Sequence, residues 1–460
     1  MNRILKWGLG LATFFSPTLQ AQQAPNLEEL VSAALQKDHG IAIKQLDIDL
    51  TSVDQQKLRE VYLPHLDLSG KYAFLASGIN AKAPANSVPE LGIALPALDD
   101  AFTNRANLIS GGLKADVVLY TGGKVPALKK ALQEKKKGQT AMLEKDRQQI
   151  ISDVSTAYDQ LALLKQVKVV LDESKTRLRL NAETAEKAFG YGLITKFEFQ
   201  KIEVAQAQLD TKVQQYEGKR RLLIHVLHTY TGIETDRIAL IDNNLAPLNQ
   251  SVEGQSILGR PEISALNASI SAHKYQIDAA KSWWKPKVQA STSLGYMNLY
   301  GIQLKAKEPF PTGNTLTLKT NKLELLPNFN IGVGFKWDFF DGNKGKREVQ
   351  QSKIELRKAE HEREEAVEKL ELNLMNQQTE LASAKAEIFM KEKQRQTSLN
   401  ALTQASKEFK TGLIKATDLV GAETDYQNAA LEYLQAVFNQ RRVAVELLKA
   451  TGSLNIASIE

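Results

Sequence analysis

Cysteine is absent from the 460 residues. That excludes disulfides, a thiolate metal site and a lipid-bearing cysteine. Methionine is scarce, with five in the chain, so no methionine ladder for a soft metal is available. Beyond the N-terminus no apolar run reaches the length of a transmembrane helix. A membrane β-barrel stays open, because its alternating strands barely register on hydropathy. The Gly122-Gly123-Lys124 triplet lacks the spacing of a phosphate loop and reads as a tight exit from strand to helix. His225 and His228 lie three apart but have no third ligand in view, so a surface or interface pair is the simpler reading. No nucleophile–base motif is visible and nothing calls for a cofactor, so the chain reads as a non-enzyme. Its pI of about 9.0 is weak evidence for nucleic acid, since acids are interspersed among the basic residues.

What is present is a duplication. Phe189-Gly-Tyr-Gly-Leu-Ile194 opens a stretch that closes at Thr231-Gly232, and Phe409-Lys-Thr-Gly-Leu-Ile414 opens one that closes at Thr451-Gly452. Each pair is 220 residues apart with no gap, and so are Glu203/Glu423, Arg221/Arg441 and Leu227/Leu447. A gap-free repeat means one structural unit used twice. Gly122-Gly123-Lys124 answers to Gly342-Asn343-Lys344 at the same offset.

Three parts follow. Residues 1–21 read as a signal peptide: Arg3 and Lys6, an apolar core from Trp7 to Phe15, Pro17, then Leu19-Gln20-Ala21. Residues 22–240 form a first repeat: a helix over 26–58, a β-hairpin over 65–120, a long helix, a tip at 189–195 and a return helix. Residues 241–460 form a second: a helix from Arg260, a β-hairpin over 286–340, a long helix, a tip at 409–415 and a return helix. The Pro-bearing stretch 79–104 reads as a long loop, as does the one holding Pro309, Pro311 and Gly313, and 232–258 reads as an irregular link with Pro247 and Gly254. The stripe Ile150, Val154, Ala157, Leu161, Leu164 predicts a helix from Lys124 to about Ala188, on the order of 100 Å long at the usual rise. Arg220-Arg221 and Arg441-Arg442 read as solvated helix faces.

The last strand alternates most cleanly. Phe329, Ile331, Val333, Phe335, Trp337 and Phe339 face one way, Asn330, Gly332, Gly334, Lys336 and Asp338 the other. Such strands serve a sheet lying on a soluble core or a lipid-facing barrel wall with a wet lumen. In lipid, sheet edges must close, because an unpaired backbone group costs several kcal/mol. Four strands cannot close; two chains give about eight and a filled barrel, three give about twelve and an aqueous bore. A homotrimer follows from the strand count and the need for a pore.

The duplicated strand–strand–long helix–Gly tip–helix order, Trp337-Asp-Phe-Phe-Asp-Gly342 with its weaker counterpart Val117-Val-Leu-Tyr-Thr-Gly122, and the two Gly-Leu-Ile tips resemble TolC-type outer membrane efflux proteins. The first strand–helix junction departs, with Val117 and Thr121 at the Trp337 and Asp341 positions. The resemblance implies a mainly α fold with a membrane β-barrel: three chains build a 12-stranded barrel in outer membrane lipid, continued by a periplasmic α-barrel. It implies an exit duct of tripartite efflux or type I secretion, docking on a periplasmic adaptor and through it on an inner-membrane pump. The competing class is a periplasmic coiled-coil adaptor, which would not carry two lipid-type strand pairs before its long helices. Within the resemblance, Gly192, Leu193, Ile194, Gly412, Leu413 and Ile414 are expected as docking tips. Asp418 is expected to line the narrow entrance and Glu198 occupies the equivalent position; the family's second acid, three residues on, is Gly421 here. Thr195-Lys-Phe-Glu198 also spells a capping box, whereas Lys415 leaves Asp418 without one.

Overall fold

A computed structural model describes residues 23–89, 92–95, 97–249, 255–307, 313–315 and 317–459. The signal-peptide reading, and the expectations on Pro96, Gly254, Pro309 and Pro311, fall outside the described residues. The chain divides into two compact units. A helical unit holds residues up to Asp49, Lys137–Ala268 and Glu360 onward; a sheet-bearing unit holds Leu50–Lys136 and Ser269–Ala359.

The element order follows the duplication: α1 (Leu27–Lys37), α2 (His39–Glu60), β1 (His65–Ala83), β2 (Asn86–Val88), β3 (Ile93–Leu95), β4 (Leu98–Tyr120), α3 (Lys124–Gly190) and α4 (Lys196–Thr231). After the one-turn α5 (Thr235–Ala239) come α6 (Pro261–Ala280), β5 (Lys287–Ala306), β6 (Thr317–Lys336), α7 (Lys344–Lys410) and α8 (Ala416–Thr451). The long helices α3 and α7 both have 67 residues, and the return helices α4 and α8 both have 36.

The first expected helix is two. Asp38 is extended (ψ 120); its N–H donates to Ala34 O at 2.9 Å, closing α1. Its carboxylate accepts from Ile41 N at 2.8 Å, opening α2. One short acid serves as the end of one helix and the cap of the next, and the apolar stripe in the sequence hides the break.

The expected loop over 79–104 is mostly strand. β1 and β4 stay paired from His65↔Asp116 to Ala83↔Leu98, and β2 and β3 form a small hairpin beyond. The sequence pattern fades after Phe74 because strict alternation ends there, while the hydrogen-bond ladder does not. β6 is shorter at its end than expected: it stops at Lys336, so Trp337 and Phe339 lie past the strand.

The four long strands form one antiparallel sheet, order β1-β4-β5-β6. Register partners share a face. Leu68, Leu113, Leu294 and Phe329 make one row across it, and Leu66, Ala115, Thr292 and Ile331 make the next. On the other face Asp67, Lys114, Ser293 and Asn330 align, as do Ser69, Gly112, Gly295 and Asn328. An apolar face and a wet face thus run through all four strands.

The exits from β4 and β6 use the same left-handed turn. Gly122 and Gly123 have φ 69 and 87; Gly342 and Asn343 have φ 69 and 66. Asn tolerates this region better than other side chains, so it stands for the second glycine. Gly122 is also held by space: a Cβ there would lie 3.1 Å from Ser282 O.

In the helical unit, α1, α3, α4 and α8 bury one core that includes Leu30, Val31, Val154, Leu227 and Val445. A second cluster gathers the ends of α3, α4, α7 and α8 around Ala185, Ile202, Phe409 and Leu419.

Candidate functional site

The tips are built by equal geometry. Gly192 (φ 71) donates to Phe189 O at 2.9 Å, and Leu193 N donates back to Ala188 O at 2.8 Å. Gly412 (φ 72) donates to Phe409 O at 3.0 Å, and Leu413 N to Glu408 O at 2.9 Å. These are the paired bonds of a helix end closed by a left-handed glycine. The Leu-Ile pairs then divide. Leu193 and Leu413 are each 76 % exposed. Ile194 and Ile414 turn inward and pack on the cluster around Phe409 and Leu419. The sequence reading treated each pair as one surface; only its leucine is presented.

At the start of α4 the capping box forms as spelled. Thr195 N donates to Glu198 Oε2 at 3.1 Å and Glu198 N to Thr195 Oγ1 at 3.2 Å. At the start of α8 half a box forms, which the sequence reading did not expect. Lys415 N donates to Asp418 Oδ2 at 3.2 Å. The reciprocal bond is chemically closed to a lysine ammonium, which has no acceptor. Asp418 is exposed and Glu198 half-buried, each at the head of a return helix.

Further along these helices lies a polar network that the sequence reading missed. Arg177 on α3 grips Glu423 on α8 through Nε to Oε2 and Nη2 to Oε1, both at 3.0 Å. Ser174 Oγ accepts from the same guanidinium at 3.0 Å, and the Tyr426 ring lies 5.1 Å from its Cζ. Lys212 on α4 donates to Gln427 and, at 3.3 Å, to Asn428 Oδ1. Burial pushes the Lys212 ammonium below the usual lysine range. The two hairpins, α3/α4 and α7/α8, are joined here by charged and polar side chains as well as by apolar packing.

Arg441 corrects the reading of its pair as a solvated face. It donates to Asp159 Oδ2 at 2.8 Å and to Ala246 O at 3.1 Å. Burial pushes the Asp159 carboxyl up, against the pull of Arg441. Its repeat counterpart Arg221 is exposed, as Glu203 is beside buried Glu423. The repeat identities alone could not show which copy is buried. His228 Nδ1 lies 2.7 Å from Ile233 O, and among the described residues no group of acids and histidines is arranged to hold a metal.

On the sheet, Phe329, Ile331, Val333 and Phe335 are exposed on the apolar face of β6. Trp337, beyond the strand, donates its Nε1–H to Trp284 O at 2.7 Å. No helix among the described residues is long and apolar enough to cross a membrane.

The sequence profile of outer membrane efflux proteins matches residues 30–232 and again residues 254–453. The chain belongs to the outer membrane efflux protein family. No curated protein matches the sequence closely enough to count as a relative. Among solved structures the fold is similar to the outer-membrane channel OprN, at 15 % identity and a TM-score of 0.71, covering 93 % of this chain and 90 % of that one. CusC gives 13 %, 0.70, 93 % and 92 %; the outer membrane protein VceC of Vibrio cholerae gives 18 %, 0.67, 93 % and 96 %. This outer membrane efflux protein is an efflux component of the cell outer membrane and not a periplasmic adaptor.

Proposed function

We propose that three copies of this efflux protein close their sheets into a 12-stranded barrel, continued by the helices as a periplasmic duct. The supporting observation is the sheet itself. It has four strands, two unpaired edges at β1 and β6, and an apolar face on which Leu68 is 84 % exposed. A sheet in lipid must close on itself, and one copy supplies a third of the strands that an open bore requires. In this reading residues 22–240 and 241–460 are the two repeats of each protomer, and Phe329, Ile331, Val333, Phe335 and Trp337 face lipid.

The duct receives its cargo at the helical tips. Leu193 and Leu413 dock on a periplasmic adaptor that leads to an inner-membrane pump. They are large apolar side chains held outward by glycine turns whose isoleucines anchor them, and exposed apolar groups at an assembly end mark interfaces. Asp418, and secondarily Glu198, form carboxylate rings at the entrance, where like charges attract cations. Fractionation tests the assembly: the protein should sediment with the outer membrane and run as a heat-modifiable trimer. Recovery as a soluble periplasmic monomer would overturn it.

A further inference from the structure

The overall charge of this protein conceals a sorting. Four stretches meet the sheet at one end, residues 50–64, 124–136, 269–287 and 344–359, all in the sheet-bearing unit. The register puts their attachment points level: His65 pairs with Asp116 near the exit of β4, and Lys287 at the start of β5 pairs with Lys336 at the end of β6. These stretches hold seventeen Lys and Arg against six Asp and Glu. The surplus of eleven exceeds that of the entire chain, which is six. The rest is therefore net acidic, and the foot of the sheet carries a basic collar. Lys124, Lys344, Lys346 and Arg347 are exposed there and take no ion-pair partner among the described residues. Three of them, Lys124, Lys344 and Arg347, line one groove between α3, α6 and α7.

A second observation locates the collar. The chain has four tryptophans, and the three within the described residues, Trp283, Trp284 and Trp337, all lie at this same end. Trp284 and Trp337 are each 52 % exposed, and Phe339 and Phe340 are exposed beside them. Amphipathic rings gather where hydrocarbon gives way to headgroups, at the rims of a barrel's apolar band. Cations immediately outside such a girdle stand at the level of the lipid phosphates.

We propose that this collar binds anionic phospholipid headgroups of the leaflet facing the periplasm, seating the barrel at a fixed depth. The proposal rests on the membrane-barrel reading above. Lys ammonium groups on flexible stems reach phosphates as point charges, and the apolar stems lie along the girdle.

The test uses the full protein in nanodiscs and its own tryptophans as probes. Brominated phosphatidylglycerol is compared with brominated phosphatidylcholine at equal mole fraction, as quenchers. The wild type should favour the anionic lipid about fivefold, the factor set by one ammonium–phosphate contact near an anionic surface. The variant Lys124→Gln/Lys344→Gln/Lys346→Gln/Arg347→Gln should fall to a ratio near one while still running as the same oligomer. A control variant, Lys44→Gln/Lys187→Gln/Lys219→Gln/Arg221→Gln, removes equal charge elsewhere and should keep the preference. Equal quenching of the wild type by both lipids, or an unchanged ratio in the collar variant, overturns the proposal alone. Quenching by neither lipid overturns the membrane reading with it. Loss of the preference on adding modest inorganic phosphate would assign the collar to a soluble anion and also overturn the proposal.

Discussion

Arg177 and Glu423 are joined by two hydrogen bonds of 3.0 Å across the gap between the two helical hairpins. The Glu423 side chain is 3 % exposed and that of Arg177 28 %. A carboxylate so enclosed depends on its one cation. Removing that partner leaves a buried charge unmatched, which costs about 3 kcal/mol or more. Arg177→Met should therefore lower the thermal midpoint of the full protein clearly. Arg177→Met/Glu423→Met, which removes both charges, should recover much of the loss. A double variant no better than the single would show that the pair is not coupled.

The division of the tip pairs gives two different outcomes from neighbouring residues. Leu413→Asp should abolish export while leaving the outer-membrane oligomer at its normal level, because Leu413 is presented to solvent. Ile414→Asp should reduce the amount of folded protein, because Ile414 packs on the cluster around Phe409 and Leu419. Export assays beside immunoblots of outer-membrane fractions separate the two. Reversal of that pattern would contradict the docking role of Leu413.

Asp418→Asn keeps an oxygen that can accept from Lys415 N, so the head of α8 should form unchanged. The proposed ring of Asp418 carboxylates would lose its charge. In planar bilayers the variant should show lower cation selectivity and weaker block by multivalent cations. Unaltered selectivity and block would move the constriction elsewhere.

Lys212 gives a pH dependence with a definite sign. Its folded-state pKa is lowered by burial, so the unfolded chain holds the proton more tightly. The cost to stability is full at neutral pH and fades as pH rises through the folded value toward the ordinary lysine value of about 10.4. Lys212→Met removes this term and forfeits the bonds to Gln427 and Asn428. The midpoint of the variant minus that of the wild type should therefore decrease as pH rises from neutral toward the ordinary lysine value of about 10.4. A difference that is flat with pH would show that Lys212 is fully solvated.

The architecture was legible because the sequence states it twice. Helices α3, α4, α7 and α8 begin and end close to their expected bounds, since glycine tips and turns punctuate long polar helices that lack proline beyond the first turn. Strand lengths were not legible, because alternation fades after Phe74 while pairing runs on to Ala83. The link between the hairpins was hidden for another reason. Arg177 and Glu423 are 246 residues apart, and neither sits in a motif. Glu423 and Glu203 are identical partners in the repeat, yet one is buried and the other exposed. Arg177 has Thr397 at its repeat counterpart, so the arginine that meets Glu423 is not itself repeated.

Closure of the sheet by three copies is the central claim, and the absence of native cysteine makes it directly measurable. A cysteine replaces Ser69 on β1, and a second is scanned through Asn328, Asn330, Gly332 and Gly334 on β6, all on the wet face. Oxidation in outer membranes should yield a covalent ladder that stops at three chains for at least one pairing. A ladder that stops at two chains, continues past three, or never leaves the monomer would contradict the account.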